Sequence, residues 1–169
     1  GSDVLDGGAG NDYINPGNSN YYDLIKANIG IDTYDFGDVL DSYISINYRQ
    51  LDAGISLYLD GALNSGFAYK GINGVDTFLQ VSNALASTST GGVGLTASHH
   101  GDYFSIKTVS GQWLQVKGGG GVDTFSISGD GYVRLDLSDG YQGLEVNLAT
   151  RTINNDGYGN TESYTGNVS

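Results

Sequence analysis

Residues 7–15, Gly7-Gly8-Ala9-Gly10-Asn11-Asp12-Tyr13-Ile14-Asn15, fit at every defined position the nine-residue pattern G-G-x-G-x-D-x-U-x, where U is a large apolar residue. The glycines permit a tight turn with positive φ and let backbone carbonyls crowd together. Asp12 brings a short carboxylate to the same place. Tyr13-Ile14-Asn15 then reads as a very short strand whose central apolar side chain points to one side. A single unit of this kind cannot bury that side chain, so the reading requires copies.

The copies stand in tandem. Nine residues back from Asp12 is Asp3, in Gly1-Ser2-Asp3-Val4-Leu5-Asp6; downstream, Asn28-Ile29-Gly30-Ile31-Asp32-Thr33-Tyr34-Asp35 restores the frame. Between them, Pro16-Gly17-Asn18-Ser19-Asn20-Tyr21-Tyr22-Asp23-Leu24-Ile25-Lys26 is the same unit with two residues added in its turn. Aspartates fall at Asp3, Asp12, Asp23 and Asp32, each followed two places later by an apolar residue, Leu5, Ile14, Ile25 and Tyr34. Gly, Asn and Asp are also the ordinary turn residues, but the fixed spacing and the inward apolar residue set these turns apart.

Residues 1–36 resemble the calcium-binding β-roll of RTX (repeats-in-toxin, hemolysin-type) proteins, which are secreted by bacteria. The resemblance implies an all-β, right-handed parallel β-roll or β-helix with two repeats per turn of the coil and calcium held between the turns of repeats n and n+2. Carried over by position, Asp3 would share an ion with Asp23, and Asp12 with Asp32. Carbonyls of Gly7, Gly8, Ala9 and Gly10, and the turn positions Asn28 and Gly30, would complete the shells. Such a donor set suits a hard cation that takes six to eight oxygens. The third repeat departs from the pattern by its Pro16 and its insertion, and its ion is expected to take a water in place of a carbonyl.

Composition points the same way. A chain of 169 residues with 38% hydrophobic content can build a core despite 28 glycines. Its net charge of −12 comes from 17 Asp against 2 Glu, whereas a solvated helical surface would favour Glu. The 7 Lys and Arg are scattered, leaving no basic stripe for nucleic acid and no polybasic patch for anionic lipid. Two carboxylates about 4 Å apart repel by roughly 4 kcal/mol at an effective dielectric near 20. A calcium-free form should therefore resist folding, and calcium should reverse this. With no Cys, neither a disulfide nor a thiolate site can staple the fold. No apolar run approaches a membrane span. The chain starts within a repeat and reads as a segment of a longer protein, which the resemblance places outside the cell after type I secretion.

Beyond residue 36 the pattern loosens. Gly-x-Asp-Thr-aromatic recurs at 30–34, 74–78 and 121–125, with spacings of 44 and 47 residues. The third copy lies in Gly118-Gly119-Gly120-Gly121-Val122-Asp123-Thr124-Phe125-Ser126, a second full match to the nonapeptide; Ala97-Ser98-His99-His100-Gly101-Asp102-Tyr103-Phe104-Ser105 keeps the Asp and the aromatic but lacks the glycines. Asp76, Asp102, Gly119, Gly121 and Asp123 are accordingly further candidate metal positions. The segments 53–60 and 142–149 share the form Gly-apolar-x-apolar-x-Leu, which predicts half-buried strands; the second resembles the V-N-L-A-T segments that interrupt RTX arrays. The stretch 43–48 and the stretch 132–137 alternate similarly. Only 79–86 could hold two helical turns, and its Val and Ser argue against them. The expected organisation is a tandem calcium β-roll over 1–36 and a degenerate continuation over 37–169 with longer strands in the middle and C-terminal parts, in one continuous domain.

No catalytic constellation stands out. His99 and His100 are the only histidines, adjacent and at turn positions. The expected function is a non-catalytic, calcium-binding segment that folds after export, monomeric in isolation. The alternative is an accessory module for polysaccharide binding or adhesion. With 13 Tyr and one Trp, aromatic faces could hold sugar; Tyr21, Tyr22 and Trp113 are the candidates, against the plainer role of stacking along the strands or capping open edges.

Overall fold

The tandem repeats fold into short strands that alternate between two sheets. The computed structural model describes residues 1–86 and 92–168; within it the repeats form β1 (Val4–Asp6), β2 (Tyr13–Ile14), β3 (Tyr22–Lys26) and β4 (Thr33–Asp35). β1 pairs in parallel with β3, setting Leu5 beside Ile25, and β2 pairs in parallel with β4, setting Ile14 beside Tyr34. Each glycine turn carries the chain from one sheet to the other, so repeats two apart become neighbours. Ile25 and Tyr34 are fully buried, while Leu5 and Ile14, in the first repeats, are partly buried against the same core.

The chain continues through β5 (Tyr43–Asn47), β6 (Ser56–Asp60), β7 (Ser65–Tyr69), a 3₁₀ turn (Gly71–Asn73), β8 (Val75–Leu79), helix α1 (Val81–Leu85), β9 (Gly92–Thr96), β10 (Tyr103–Thr108), β11 (Trp113–Lys117), β12 (Thr124–Gly129), β13 (Tyr132–Leu135), β14 (Glu145–Asn147), β15 (Thr152–Asn155) and β16 (Glu162–Thr165). Among the described residues the molecule is all-β apart from these short helical turns. One sheet has the order β1-β3-β5-β9-β11-β13 and is parallel at every pairing. The other has the order β14-β15-β16-β12-β10-β6-β7-β8-β4-β2.

The larger sheet departs from the expected end-to-end parallel arrangement. β7 runs antiparallel to both β6 and β8, and β15 antiparallel to β14 and β16. The cause is local: a four-residue turn, 61–64, with Asn64 at φ +58°, links β6 to β7, and so short a link can join only antiparallel strands. Two further expectations are corrected. Segment 142–149 is not half-buried, because β14 lies at the sheet edge with Leu144, Val146 and Leu148 exposed. Segment 79–86 does hold a short helix, α1, fixed by burial of Val81, Ala84 and Leu85 rather than by propensity.

The core is one cluster drawn from both sheets, with Ile44, Ile46, Val93, Leu95, Leu114 and Val116 from the smaller and Leu57, Phe78, Phe104, Ile106 and Phe125 from the larger. Parallel register stacks like on like: Phe104 lies beside Phe125 with centroids 5.0 Å apart, and Tyr34 beside Phe78 at 5.6 Å. Asp12, Asp32 and Asp76 are thereby aligned with one another, and Asp102 with Asp123.

Candidate metal sites

In the larger sheet Asp12 and Asp32 stand just before β2 and β4, and Asp76, their register partner, is the second residue of β8; the backbone of this column is tied by its own side chains. The Asp12 N–H donates to Asp32 Oδ1 at 3.1 Å and the Asp32 N–H to Asp76 Oδ1 at 3.4 Å. The turns ahead of them stack in step: the Gly10 N–H donates to the Ile29 carbonyl at 3.3 Å, and the Gly30 N–H to the Asn73 carbonyl at 2.7 Å. Gly30 has φ +138°, and a Cβ there would overlap the Gly10 carbonyl oxygen, so the nonapeptide glycine is required at this position by close backbone approach. Gly7, Gly8, Ala9 and Gly10 occupy the turn between β1 and β2, and Asn28 and Gly30 the turn between β3 and β4.

The free carboxylate oxygens of this column differ. Asp12 Oδ2 is buried with no hydrogen-bond partner, and a Cβ at Gly7 would stand 2.5 Å from it. Asp32 Oδ2 instead meets the ammonium of Lys70 at 3.3 Å, and the same ammonium binds Asp76. Burial pushes the Asp76 carboxyl up to about 6, with Lys70 and Tyr48 acting against the rise.

The column at the other end of the sheet follows register through Ile55, Asp102, Asp123 and Glu162. The Ile55 N–H donates to Asp102 Oδ1 at 2.6 Å and the Asp102 N–H to Asp123 Oδ1 at 2.8 Å. Asp102 is otherwise satisfied by Ser98, whose Oγ donates at 2.9 Å and whose N–H donates at 3.1 Å. Burial above all, then the charge of Asp123, holds the Asp102 carboxyl up at about 7. Asp123 Oδ2 and Glu162 Oε2 are both buried without a hydrogen-bond partner, in residues only 1% and 3% exposed. Burial first, then the charge of Asp123, drives the Glu162 carboxyl far above the ordinary carboxylate range; Asp123 is raised by burial as well. Gly118, Gly119 and Gly121 form the turn over Asp123: a Cβ at Gly118 would overlap Asp123 Oδ2, and Gly119 and Gly121 have positive φ against the 98–101 backbone.

These observations sort the expected ligands. Asp3 and Asp23 are brought together, the Asp3 N–H donating to Asp23 Oδ1 at 2.9 Å, but Asp23 Oδ2 accepts from Ser19 Oγ at 2.7 Å and Asp3 is exposed. Asp23, Asp32, Asp76 and Asp102 thus have protein donors on their carboxylates, whereas Asp12 and Asp123 each keep an unpartnered buried oxygen beside a glycine turn. A hard cation fits those two places, drawing carboxylate oxygen from Asp12 or from Asp123 with Glu162. Among the described residues no three His, Asp or Glu side chains are grouped to hold a metal alone, so carbonyls of the turns would have to supply the remaining ligands. The chemistry supplied would be charge neutralisation of buried carboxylates.

Sequence reading missed Lys70, Ser98 and Glu162. Lys70 lies in an insertion outside the nonapeptide frame, and Glu162 takes an aspartate's place in register, after a turn whose glycines, Gly157 and Gly159, both have positive φ but do not keep the nonapeptide spacing. His99 and His100 are exposed in the turn between β9 and β10.

The aromatic candidates divide too. Tyr22 stacks on Tyr43 with centroids 5.6 Å apart, and Tyr43 meets Trp113 at 5.7 Å, across Gly92 of the intervening strand. A Cβ at Gly92 would collide with the Trp113 ring, and one at Gly94 with the Tyr43 hydroxyl. Beside this row runs a groove of about 340 Å³ whose lining includes Tyr22, Tyr43, Asn47, Arg49, Gln115 and Lys117. Tyr21 is exposed, and neither it nor Trp113 is among the residues lining the groove. No helix of the described residues is long and apolar enough to cross a membrane. The chain matches no family model, no curated protein and no solved structure.

Proposed function

We propose that the chain is a non-catalytic, calcium-binding segment of RTX type that folds on calcium after export of its parent protein. The observation that carries this reading is the pair of buried, unpartnered carboxylate oxygens, Asp12 Oδ2 and Asp123 Oδ2, each held against a nonapeptide glycine turn. Burying an unpaired charge is costly, and a divalent cation at these two places offsets that cost. The β-roll reading is supported by the alternation of strands between two sheets with parallel neighbours from β1 to β5 and from β9 to β13. The β6–β7–β8 meander and the β14–β15–β16 meander are then insertions into the roll. Cytosolic calcium is too low to load weak sites, so folding waits for the extracellular space, where Kd values of about 10⁻⁴–10⁻³ M suffice. Isothermal titration and far-UV circular dichroism, begun in chelator with magnesium as control, test it: calcium alone should bind and strengthen the β signal. A chain that binds no calcium and is equally folded throughout refutes it.

A second reading is favoured by the Tyr22–Tyr43–Trp113 row and its groove. Aromatic faces beside Asn47, Gln115, Arg49 and Lys117 suit a polysaccharide, and an acidic one would take over the two cations from their present carboxylate partners, Asp139 on Arg49 and Asp136 on Lys117. Titration with alginate at fixed calcium should perturb Trp113 fluorescence, and Tyr43→Ala should abolish the change; no response to acidic or neutral glycans removes this reading.

A further inference from the structure

Lys70 is fully buried, at 0% exposure, where every other Lys and Arg of the chain retains solvent contact. Its ammonium has three protons and three oxygen acceptors: the Asn28 carbonyl at 2.6 Å, Asp32 Oδ2 at 3.3 Å, and the Asp76 carboxylate. Those acceptors are a turn carbonyl and the aspartates of two neighbouring strands. By register, the equivalents one strand back are Gly8, Asp12 and Asp32, and there Asp12 Oδ2 has no donor. The two places share one frame, and one of them contains a covalently attached cation.

We infer that Lys70 is a built-in cation standing where the repeat would otherwise take a divalent ion, so that the Asp32–Asp76 step of the sheet closes without metal. The insertion that breaks the nine-residue pattern is what delivers it. β7 runs back along the sheet, and the 3₁₀ turn after it, closed by the Lys70 N–H on the Gly74 carbonyl at 2.9 Å and the Asn73 N–H on the Lys70 carbonyl at 3.1 Å, leaves the side chain inside. A single positive charge neutralises only one of the two carboxylates. The remainder is met by neutral donors on Asp76 Oδ2, Tyr48 Oη at 2.9 Å and Tyr34 Oη at 3.3 Å. Calcium dependence would then be confined to other parts of the chain, around Asp12 and Asp123, while the middle of the sheet is permanently closed. The assignment of metal to those other parts rests on the calcium reading above; the role of Lys70 does not.

The test compares the full chain with Lys70→Ala and Lys70→Met, by thermal unfolding in chelator and in calcium and by calcium stoichiometry. The Ala variant, with Asn28, Asp32 and Asp76 freed, is expected to lose stability in chelator, to recover with calcium and to bind one more ion than the parent. The Met variant fills the space without charge and is expected to lose stability in both media. A folded Ala variant with the parent's stoichiometry, or equal rescue of both variants by calcium, overturns the inference. If neither variant folds, hydrogen exchange of the parent decides. Protection of the Asp32 and Thr77 amides in chelator supports it, and protection there only with calcium overturns it. A parent that binds no calcium sinks the calcium reading alone, since an ion gained by the Ala variant still supports the role of Lys70.

Discussion

Replacing Asp123 by Asn should change sign with calcium. The Asp123 Oδ1 atom accepts the Asp102 N–H at 2.8 Å, and an Asn carbonyl keeps that bond. What the substitution removes is the buried charge at Oδ2, whose one polar neighbour is the Glu162 carboxyl and which lies within the field of Asp156. An Asn amide there carries no charge to desolvate and donates to the Glu162 carboxyl, so the variant in chelator should gain about 1 kcal/mol. For a domain of this size that is a rise of about 2–4 °C in Tm. With calcium at about a hundredfold excess over Kd, the parent gains about 2.7 kcal/mol from the site and the variant forgoes it. The variant should then be less stable than the parent by about 1.7 kcal/mol, the gain in chelator being subtracted from the lost linkage. Thermal unfolding followed by circular dichroism, in chelator and in calcium, reads both offsets. An offset of the same sign and size in the two media would refute the argument, because Asp123 would then be an ordinary structural carboxylate.

Asp12→Asn should raise the calcium concentration at the folding midpoint, whereas Asp23→Asn, whose carboxylate serves Ser19 and Asp3, should cost about 1 kcal/mol in either medium and leave that midpoint in place; calcium titrations of both variants check this. Gly30→Ala should cost more than about 2 kcal/mol, since it combines left-handed strain with overlap on the Gly10 carbonyl, while Gly143→Ala, where a Cβ meets nothing within 4 Å, should be near neutral in urea unfolding. Burial raises the Asp102 carboxyl to about 7 in the folded state, so the folded chain binds that proton more tightly than the unfolded one. The contribution of Asp102 to stability in chelator should therefore be fully present below about pH 4 and be lost as pH rises through 7; the difference in urea midpoint between the parent and Asp102→Asn, taken at pH 5 and at pH 8, measures that loss.

The tandem stretch 1–36 was legible because its information is local. A fixed spacing of Asp and apolar residue, with glycine where φ is positive, places Ile25 and Tyr34 inside and aligns Asp12 with Asp32 whatever follows. The all-β character was legible for the same reason, in the alternation of 43–48 and 132–137. Composition could not reveal which aspartates are left without a donor, because donors arrive from distant sequence. Ser98 reaches Asp102 from within its own turn, but Lys70 reaches Asp32 across 38 residues, and Glu162 comes beside Asp123 only when β16 pairs with β12. Tertiary structure likewise joined Tyr22, Tyr43 and Trp113 into one row, which requires the glycines of the strand between them. Sequence by itself determined where carboxylates and turns recur, since that follows from backbone geometry repeated every nine residues. The tertiary structure alone decided which of those carboxylates meet an ammonium or hydroxyl and which keep an unpaired charge, since that depends on where two strand insertions bring remote side chains.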